Sequence, residues 1–284
     1  MSARFRVSLG LAALAALAAP LPGAQLPLSV AKTTGQTVTP AFEGWYRNPD
    51  GSFSISFGYF NRNAEEVVSV PIGAANHVEP GPPNQGQPTE FQPGRHWGVF
   101  AVKVPADFGS KEVTWTIAFR GATYAIPGNL RPNWQIDALD GEAGSGNTPP
   151  AIKFDANGPE GSGPLGITSG PVTASAGAPV TLTVWARDDG KPSSSVGSTG
   201  RSNVPVTLTW FTHQSPPAAA GRGVTFTPSS ARVNVTGGEA STQATFGVAG
   251  DYLVRVRAND ASGVTGAGHA QCCWTNGFFR VVVK

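Results

Sequence analysis

Beyond residue 24 the chain is written in alternating apolar and polar positions. In "SFSISFGYF", Phe53, Ile55, Phe57 and Tyr59 fall on one side of an extended segment, with Ser54 and Ser56 on the other. Successive side chains of a strand point to opposite faces, so this period of two predicts a strand with one apolar face. "EVTWTIAF" repeats it with Val113, Trp115, Ile117 and Phe119; "AFEGWYR", "EVVSVPI" and "HWGVFAVKV" complete a first block. "NPDGS" supplies the turn between "AFEGWYR" and "SFSISFGYF". A second block holds "AIKFD", "PVTLTVWARDD", "VPVTLTWFTH", "GVTFTP", "ARVNVT", "ASTQATFGV", "GDYLVRVRAND" and "FFRVVV". Short alternating runs at even spacing predict an all-β protein: two β-sandwich domains in tandem, the second immunoglobulin-like.

The N-terminus reads differently. Arg4 and Arg6 precede an apolar run from Val7 to Ala19, then small residues and prolines up to Ala24. That is the grammar of a signal peptide over residues 1–24, with an apolar run too short to span a bilayer. The expected domains are an N-terminal module over 33–139, a Pro/Gly linker over 140–148 ("DGEAGSGNT"), and a C-terminal module over 149–284. The expected address is outside the cytoplasm, in the periplasm or extracellular space, with no membrane span.

Charge narrows the partners. The chain has 20 Lys and Arg against 18 Asp and Glu, and the excess of two lies in the signal peptide. A balanced chain with no basic cluster excludes nucleic acid and a polybasic membrane patch as partners. The 36 glycines and 25 prolines show no collagen-like period and supply the turns that many short strands need.

Three details give the second block its immunoglobulin-like order. Trp210 sits in the third strand, and Tyr252 opens the penultimate one as a tyrosine corner would. Tyr252, Val254, Val256 and Ala258 then alternate with Leu253, Arg255, Arg257 and Asn259. Apolar residues stand where antibody domains carry their inter-sheet disulfide.

"GDYLVRVRANDASG" resembles the penultimate strand of Ig-like and PKD-like domains of exported bacterial proteins. The first block resembles an extracellular module of bacterial surface and secreted proteins, through "FGYFNRN" (57–63), "VPIGAANHVEPGP" (70–82), "GQPTEFQPGR" (86–95), "VFAV" (99–102) and "VTWTI" (113–117). Neither resemblance brings a catalytic set. Both imply a structural, adhesive or binding role outside the cytoplasm, with a protein or glycan on a cell surface, or a second copy, as partner.

Motifs for catalysis are missing from the sequence: no G-x-S-x-G, H-E-x-x-H, phosphate-binding loop or EF-hand. His77, His96, His213 and His269 fall one per segment. The chain reads as a non-enzyme; a carbohydrate-binding accessory protein is the alternative, and a hydrolase with an unrecognised site the residue.

Four groups of side chains are candidates for function. The long loop "GAANHVEPGPPNQGQPTEFQPG" would either present Asn76, His77, Asn84, Gln85 and Gln87 to a polar ligand, or use them to cap its own backbone. Trp45, Tyr46 and Trp134 would be exposed aromatics able to stack on sugars, or interdomain packing; Trp97, Trp115 and Trp210 are expected in the cores. Asp188, Asp189 and Asp260 end two parallel strands, at the end where the linker arrives with Asp137, Asp140 and Glu142. They would suit Ca²⁺, or serve as turn caps.

The fourth group is the loop with His269, Cys272, Cys273 and Trp274, which holds both cysteines of the chain. Adjacent Cα atoms stand about 3.8 Å apart, below the usual disulfide range of about 4.4–6.8 Å. A vicinal disulfide making a rigid turn, a bridge between two chains, and free thiols or a metal site all remain open. The strand order favours a rigid loop that sets the angle between the domains.

Overall fold

The computed structural model describes residues 32–136, 146–191, 203–260 and 273–284. The expected signal peptide, Asp137, Asp140, Glu142, His269 and Cys272 lie outside the described residues. All the described regular structure is strand apart from short 3₁₀ turns. No described helix is long and apolar enough to cross a membrane.

In the first module β1 (Val38–Arg47) turns into β2 (Phe53–Asn61), followed by β3 (Val68–Ser69), β4 (Asn76–Glu79), β5 (Glu90–Phe91), β6 (Gly94–Val104), β7 (Val113–Phe119) and β8 (Ala122–Gly128). One sheet has the order β1-β2-β6, a second β4-β7-β8, and β3 pairs with β5. Between the two larger sheets lie Ile55, Phe57, Phe100, Val78, Val113, Trp115 and Ile117, all buried. The Phe57 and Phe100 rings meet the indole of Trp115 edge-on at 6.0 and 4.9 Å. Strands β4 and β8 were not legible in the alternation: one is four residues inside a Pro/Gly loop, and the other contains Pro127.

The second module comprises β9 (Ala151–Lys153), β10 (Ile167–Ala174), β11 (Pro179–Arg187), β12 (Val206–Gln214), β13 (Val224–Thr227), β14 (Ser230–Val233), β15 (Gly238–Phe246), β16 (Gly250–Asn259) and β17 (Trp274–Val283). Its sheets are β13-β15-β11-β9 and β10-β17-β16-β12-β14. Strand β10, unforeseen because Gly170-Pro171 interrupts it, pairs parallel to β17. Leu182, Val184, Ala244 and Phe246 of one sheet pack on Leu208, Trp210, Val254, Val256 and Phe279 of the other. Tyr252 is buried, and its Oη donates to Val248 O at 2.8 Å, which closes the tyrosine corner. Trp210 is likewise buried.

The five-stranded sheet has a second face, and here the simple alternation misleads. Registers Phe211↔Arg255↔Phe278 and Arg257↔Asn276 put these residues on the face turned away from the module's own core. A lone sandwich would show that face to water. Instead Arg255, Trp274, Asn276 and Phe278 are buried there, because the first module covers them. The serines of β2 are covered too: Ser54 and Ser56 have no exposed surface. Residues Ala31–Lys284 thus form a single unit, rather than two beads on a linker.

Candidate functional site

The junction is the most elaborated feature of the described structure. Its centre is β6 against β17. Gly98 has no side chain, and a Cβ there would overlap the indole of Trp274. The Gly98 carbonyl accepts from Trp274 Nε1 at 3.2 Å and from Asn276 Nδ2 at 2.7 Å. Asn276 Nδ2 also donates to Pro164 O at 2.8 Å. Nearby, Tyr46 Oη accepts from Leu165 N at 2.6 Å, and Tyr46, Ile136 and Leu165 form a small apolar cluster. Burying an aromatic ring of this kind contributes on the order of 2–4 kcal/mol.

The Gly73–Gly94 loop makes the other half of the contact. Thr89 N donates to His213 O at 2.8 Å, so a backbone bond joins the modules. His213 Nε2 bonds Gly86 O at 2.7 Å, and Gln214 Nε2 donates to Gln87 O at 2.7 Å. Ser215 N donates to Thr89 Oγ1, and its hydroxyl to Glu90 Oε1 at 2.7 Å. Desolvation raises the Glu90 carboxyl above its ordinary range, against the lowering effect of the Ser69 and Ser215 hydroxyls.

The polar residues expected on that loop mostly serve the loop. Asn76 Nδ2 donates to Val70 O and Pro88 O, and its Oδ1 accepts from Trp115 Nε1. Gln85 Nε2 donates to Val78 O and Pro80 O, and Gln87 Nε2 to Pro83 O. Asn76 and Gln87 are fully buried. His77 is half-buried, 3.8 Å from Glu79 Oε2. Asn84 is exposed and meets Gln214 across the junction at 3.1 Å.

Exposure of Trp45 and Tyr46 is corrected. Both are buried, at 9% and 8% exposure. Sequence proximity to a turn suggested otherwise, but the segment after β8 crosses over β1. Ile136 N donates to Trp45 O at 2.7 Å, and Trp45 Nε1 donates to Arg131 O at 2.8 Å. Trp134 in that segment is half-buried, its ring 5.0 Å from Phe42. Trp115 and Trp210 are core residues; Trp97 is only half-buried, under the Arg95 guanidinium at 5.0 Å.

The aspartates do meet the linker. Asp260 Oδ2 accepts from Asn147 Nδ2 at 2.6 Å, and Asp189 Oδ2 accepts from Thr148 N and Oγ1. Asp188 Oδ2 accepts from Gly190 N, and Asp189 Oδ1 from Lys191 N. Among the described residues no three His, Cys, Asp or Glu side chains form a group that could hold a metal ion. Desolvation, then the nearby charges of Asp260 and Asp189, push the Asp188 carboxyl up to about 6.

Cys273 and Trp274 are fully buried at the same junction, and Cys273 is disulfide-bonded. Cys273 Sγ lies 3.9 Å from Asn147 O of the linker. Sequence reasoning missed the rest of this surface: Gly98, Phe211, His213, Gln214, Ser215, Arg255, Arg257 and Asn276. The available signal was β17, where Trp274, Asn276 and Phe278 occupy one phase and Thr275, Phe279 and Val281 the other. A strand apolar in both phases is covered on both faces.

No protein-family description matches the chain, and no curated protein does. Among solved structures it is similar to the D00–D0 domain of intimin (TM-score 0.26, 12% identity, covering 87% of this chain and 100% of that one). It is also similar to the D0–D1 domain of intimin (TM-score 0.23, 11% identity, 87% and 98%) and to a titin fragment (TM-score 0.23, 12% identity, 86% and 98%). At such TM-scores the likeness decides neither fold nor role; the all-β sandwich class rests on the sheets themselves.

Proposed function

We propose that this chain is an exported, non-catalytic β protein, serving as a structural, adhesive or assembly component of the cell envelope or extracellular space. One observation carries the reading: the two modules are locked together by buried hydrogen bonds and rings, from Gly98 and Trp274 to Thr89 and His213. A locked pair holds its ends at a fixed separation and angle, which suits a spacer or a scaffold better than a flexible tether. The signal-peptide grammar of residues 1–24 supports placement outside the cytoplasm. The glycan-binding alternative loses its support at Trp45 and Tyr46, whose rings are buried.

The test is a deletion strain with the chain restored in trans. Protease shaving of intact cells should degrade the protein, and the deletion should weaken surface attachment or envelope integrity. A variant that loosens the junction, such as Trp274→Ala, should fail to restore it. Retention in the cytoplasm, or full rescue by the loosened variant, would overturn the proposal.

A further inference from the structure

One tryptophan is neither core nor covered. Trp185 lies in β11, whose Leu182, Val184 and Ala186 enter the core of the second module, so the half-buried indole stands on the outer face of its sheet. Elsewhere Trp45, Trp115 and Trp274 donate their Nε1 to acceptors, Trp97 lies under Arg95, and Trp134 packs on Phe42. Among the described residues nothing accepts from Trp185 Nε1 or stacks on its ring, and that nitrogen is open to solvent. The face around it is polar: Thr183 bonds Ser241 Oγ at 2.8 Å, and Gln243 Nε2 donates to Thr181 Oγ1 at 2.9 Å.

A cleft of about 180 Å³ opens at this tryptophan, and its lining includes Trp185, Lys153, Glu160, Arg187, Gly237 and Gly238. At ~30 Å³ per water that is room for about six waters, the bulk of one pyranose ring. Gly237 and Gly238, where β14 turns into β15, contribute main chain only. Arg187 donates Nε and Nη2 to the two oxygens of Glu160 at 3.0 and 2.5 Å. Glu160 is itself held in place, because the next residue, Gly161, exchanges two backbone hydrogen bonds of 2.9 Å with Ile152 of β9.

That pair leaves hydrogen-bonding capacity at the cleft. Arg187 Nη1 has no acceptor among the described residues, and each Glu160 oxygen accepts only one of the pair's two bonds. The Arg187 bond holds the Glu160 carboxyl below its ordinary range, so it stays an acceptor. The charges balance: Lys153 and Glu239 are the register partners of Trp185 on either side, and the Lys153 ammonium donates to Ala156 O. An anion would gain no net attraction here. Glu160 also lines a wider cleft of about 920 Å³, together with Asn48, Asp50 and Lys103 of the first module, so the two clefts meet at this residue.

We propose that the Trp185 cleft binds a neutral polysaccharide, with the indole stacked on one pyranose and Arg187 and Glu160 bonding its hydroxyls as donor and acceptor. The C–H face of a sugar ring matches a flat, solvent-open aromatic, and a few fixed polar groups beside it set orientation. Further units of the polymer run past Glu160 into the wider cleft. A proline-rich peptide would need a groove lined by several aromatics, and here one ring stands among charged and hydroxyl side chains. This ligand class goes beyond the scaffold role and does not depend on the locked junction, which rescue by Trp274→Ala tests separately.

The experiment titrates the purified full chain in a calorimeter with cellohexaose, maltohexaose, xylohexaose, mannohexaose and chitohexaose, and with oligogalacturonate and decaproline as controls. At least one neutral hexaose should bind with a Kd on the order of 1 mM, as one stacked ring and a few hydrogen bonds allow. Trp185→Ala should weaken that binding about tenfold or more, while Trp185→Tyr, which keeps a ring, should stay within about fivefold of wild type. Arg187→Ala keeps the indole and touches no core residue, and should weaken binding about threefold or more; it decides the matter if Trp185→Ala fails to fold. No binding by any neutral hexaose, or binding unchanged in these alanine variants, would overturn the proposal. Tighter binding of oligogalacturonate or decaproline would overturn it too, assigning the cleft to an anion or a peptide.

Discussion

Trp274 lies against the bare Cα of Gly98, and the carbonyl of that same glycine takes the indole proton at 3.2 Å. Shape and hydrogen bonding thus fix one spot where the two modules meet. Gly98 has φ +49°, a region that costs a side chain strain, and a Cβ there would overlap the ring. Gly98→Ala should therefore destabilise by roughly 2–4 kcal/mol, and Trp274→Ala by roughly 3–5 kcal/mol through the cavity it leaves. Both remove one contact, so the double variant should cost clearly less than the sum in urea titrations. Additive costs would show that the two residues stabilise independently.

Acid should open the junction before it unfolds anything else. His96 and His213 are neutral there, held down at about 3 by burial first and by the charge of Arg255 second. An unfolded histidine titrates near 6.5. Between those values the unfolded chain binds protons that the folded chain refuses, so stability is complete above 6.5 and falls as pH drops. A loss of a few kcal/mol by pH 4.5 is expected in denaturant titrations. The exposed pairs of Glu66 and Glu160, whose carboxyls are held below their ordinary range, contribute only at lower pH. His96→Gln, which keeps a donor for Pro93 O, should flatten part of the slope. A profile unchanged from pH 7 to 4.5 would refute the assignment.

What the chain spells out and what it conceals divide along physical lines. Strands such as β2, β7, β11 and β16 are legible because each buries one face in its own module. The tyrosine corner is legible because a hydroxyl at a strand start needs a local acceptor, and Val248 O is four residues away. The junction is not, because it is made between segments far apart in the chain. Arg255 and Arg257 look like a solvated face until His96 and Tyr59 of the first module come up against it. The loop from Gly73 to Gly94 announced itself by length, yet its Asn and Gln side chains hold its own carbonyls. Strand order alone puts Trp274, Asp188, Asp189 and Asp260 at the linker end, where Asn147 and Thr148 bond Asp260 and Asp189.

Tyr252 should be worth more than its ring. Its side chain is buried, and its hydroxyl serves Val248 O at 2.8 Å. Tyr252→Phe keeps the ring against Phe246, 4.8 Å away, but leaves the Val248 carbonyl without that donor. A loss of roughly 1–3 kcal/mol is expected, confined to the second module. Hydrogen exchange should show faster opening at β16 and β17, with β1 and β2 unchanged. Uniform acceleration in both modules would mean that the corner stabilises the whole unit instead.

Asp188 is a charge the fold tolerates rather than uses. Its Oδ1 is buried without a partner, and desolvation with the Asp260 and Asp189 charges raises its carboxyl to about 6 from an ordinary 3.8. A raised carboxyl means the folded state holds a proton that the unfolded state has released. The resulting cost is absent below pH 3.8, grows up to pH 6 and is constant above it. Asp188→Asn, which can still accept from Gly190 N through its amide oxygen, should stabilise by roughly 1–2 kcal/mol at pH 8, after allowance for partial exposure. At pH 4 the gain should vanish. The same variant discriminates against a bound cation. If millimolar calcium raised the wild-type midpoint and Asp188→Asn lost that rise, the three carboxylates would be ligands, and the repulsion argument would fall.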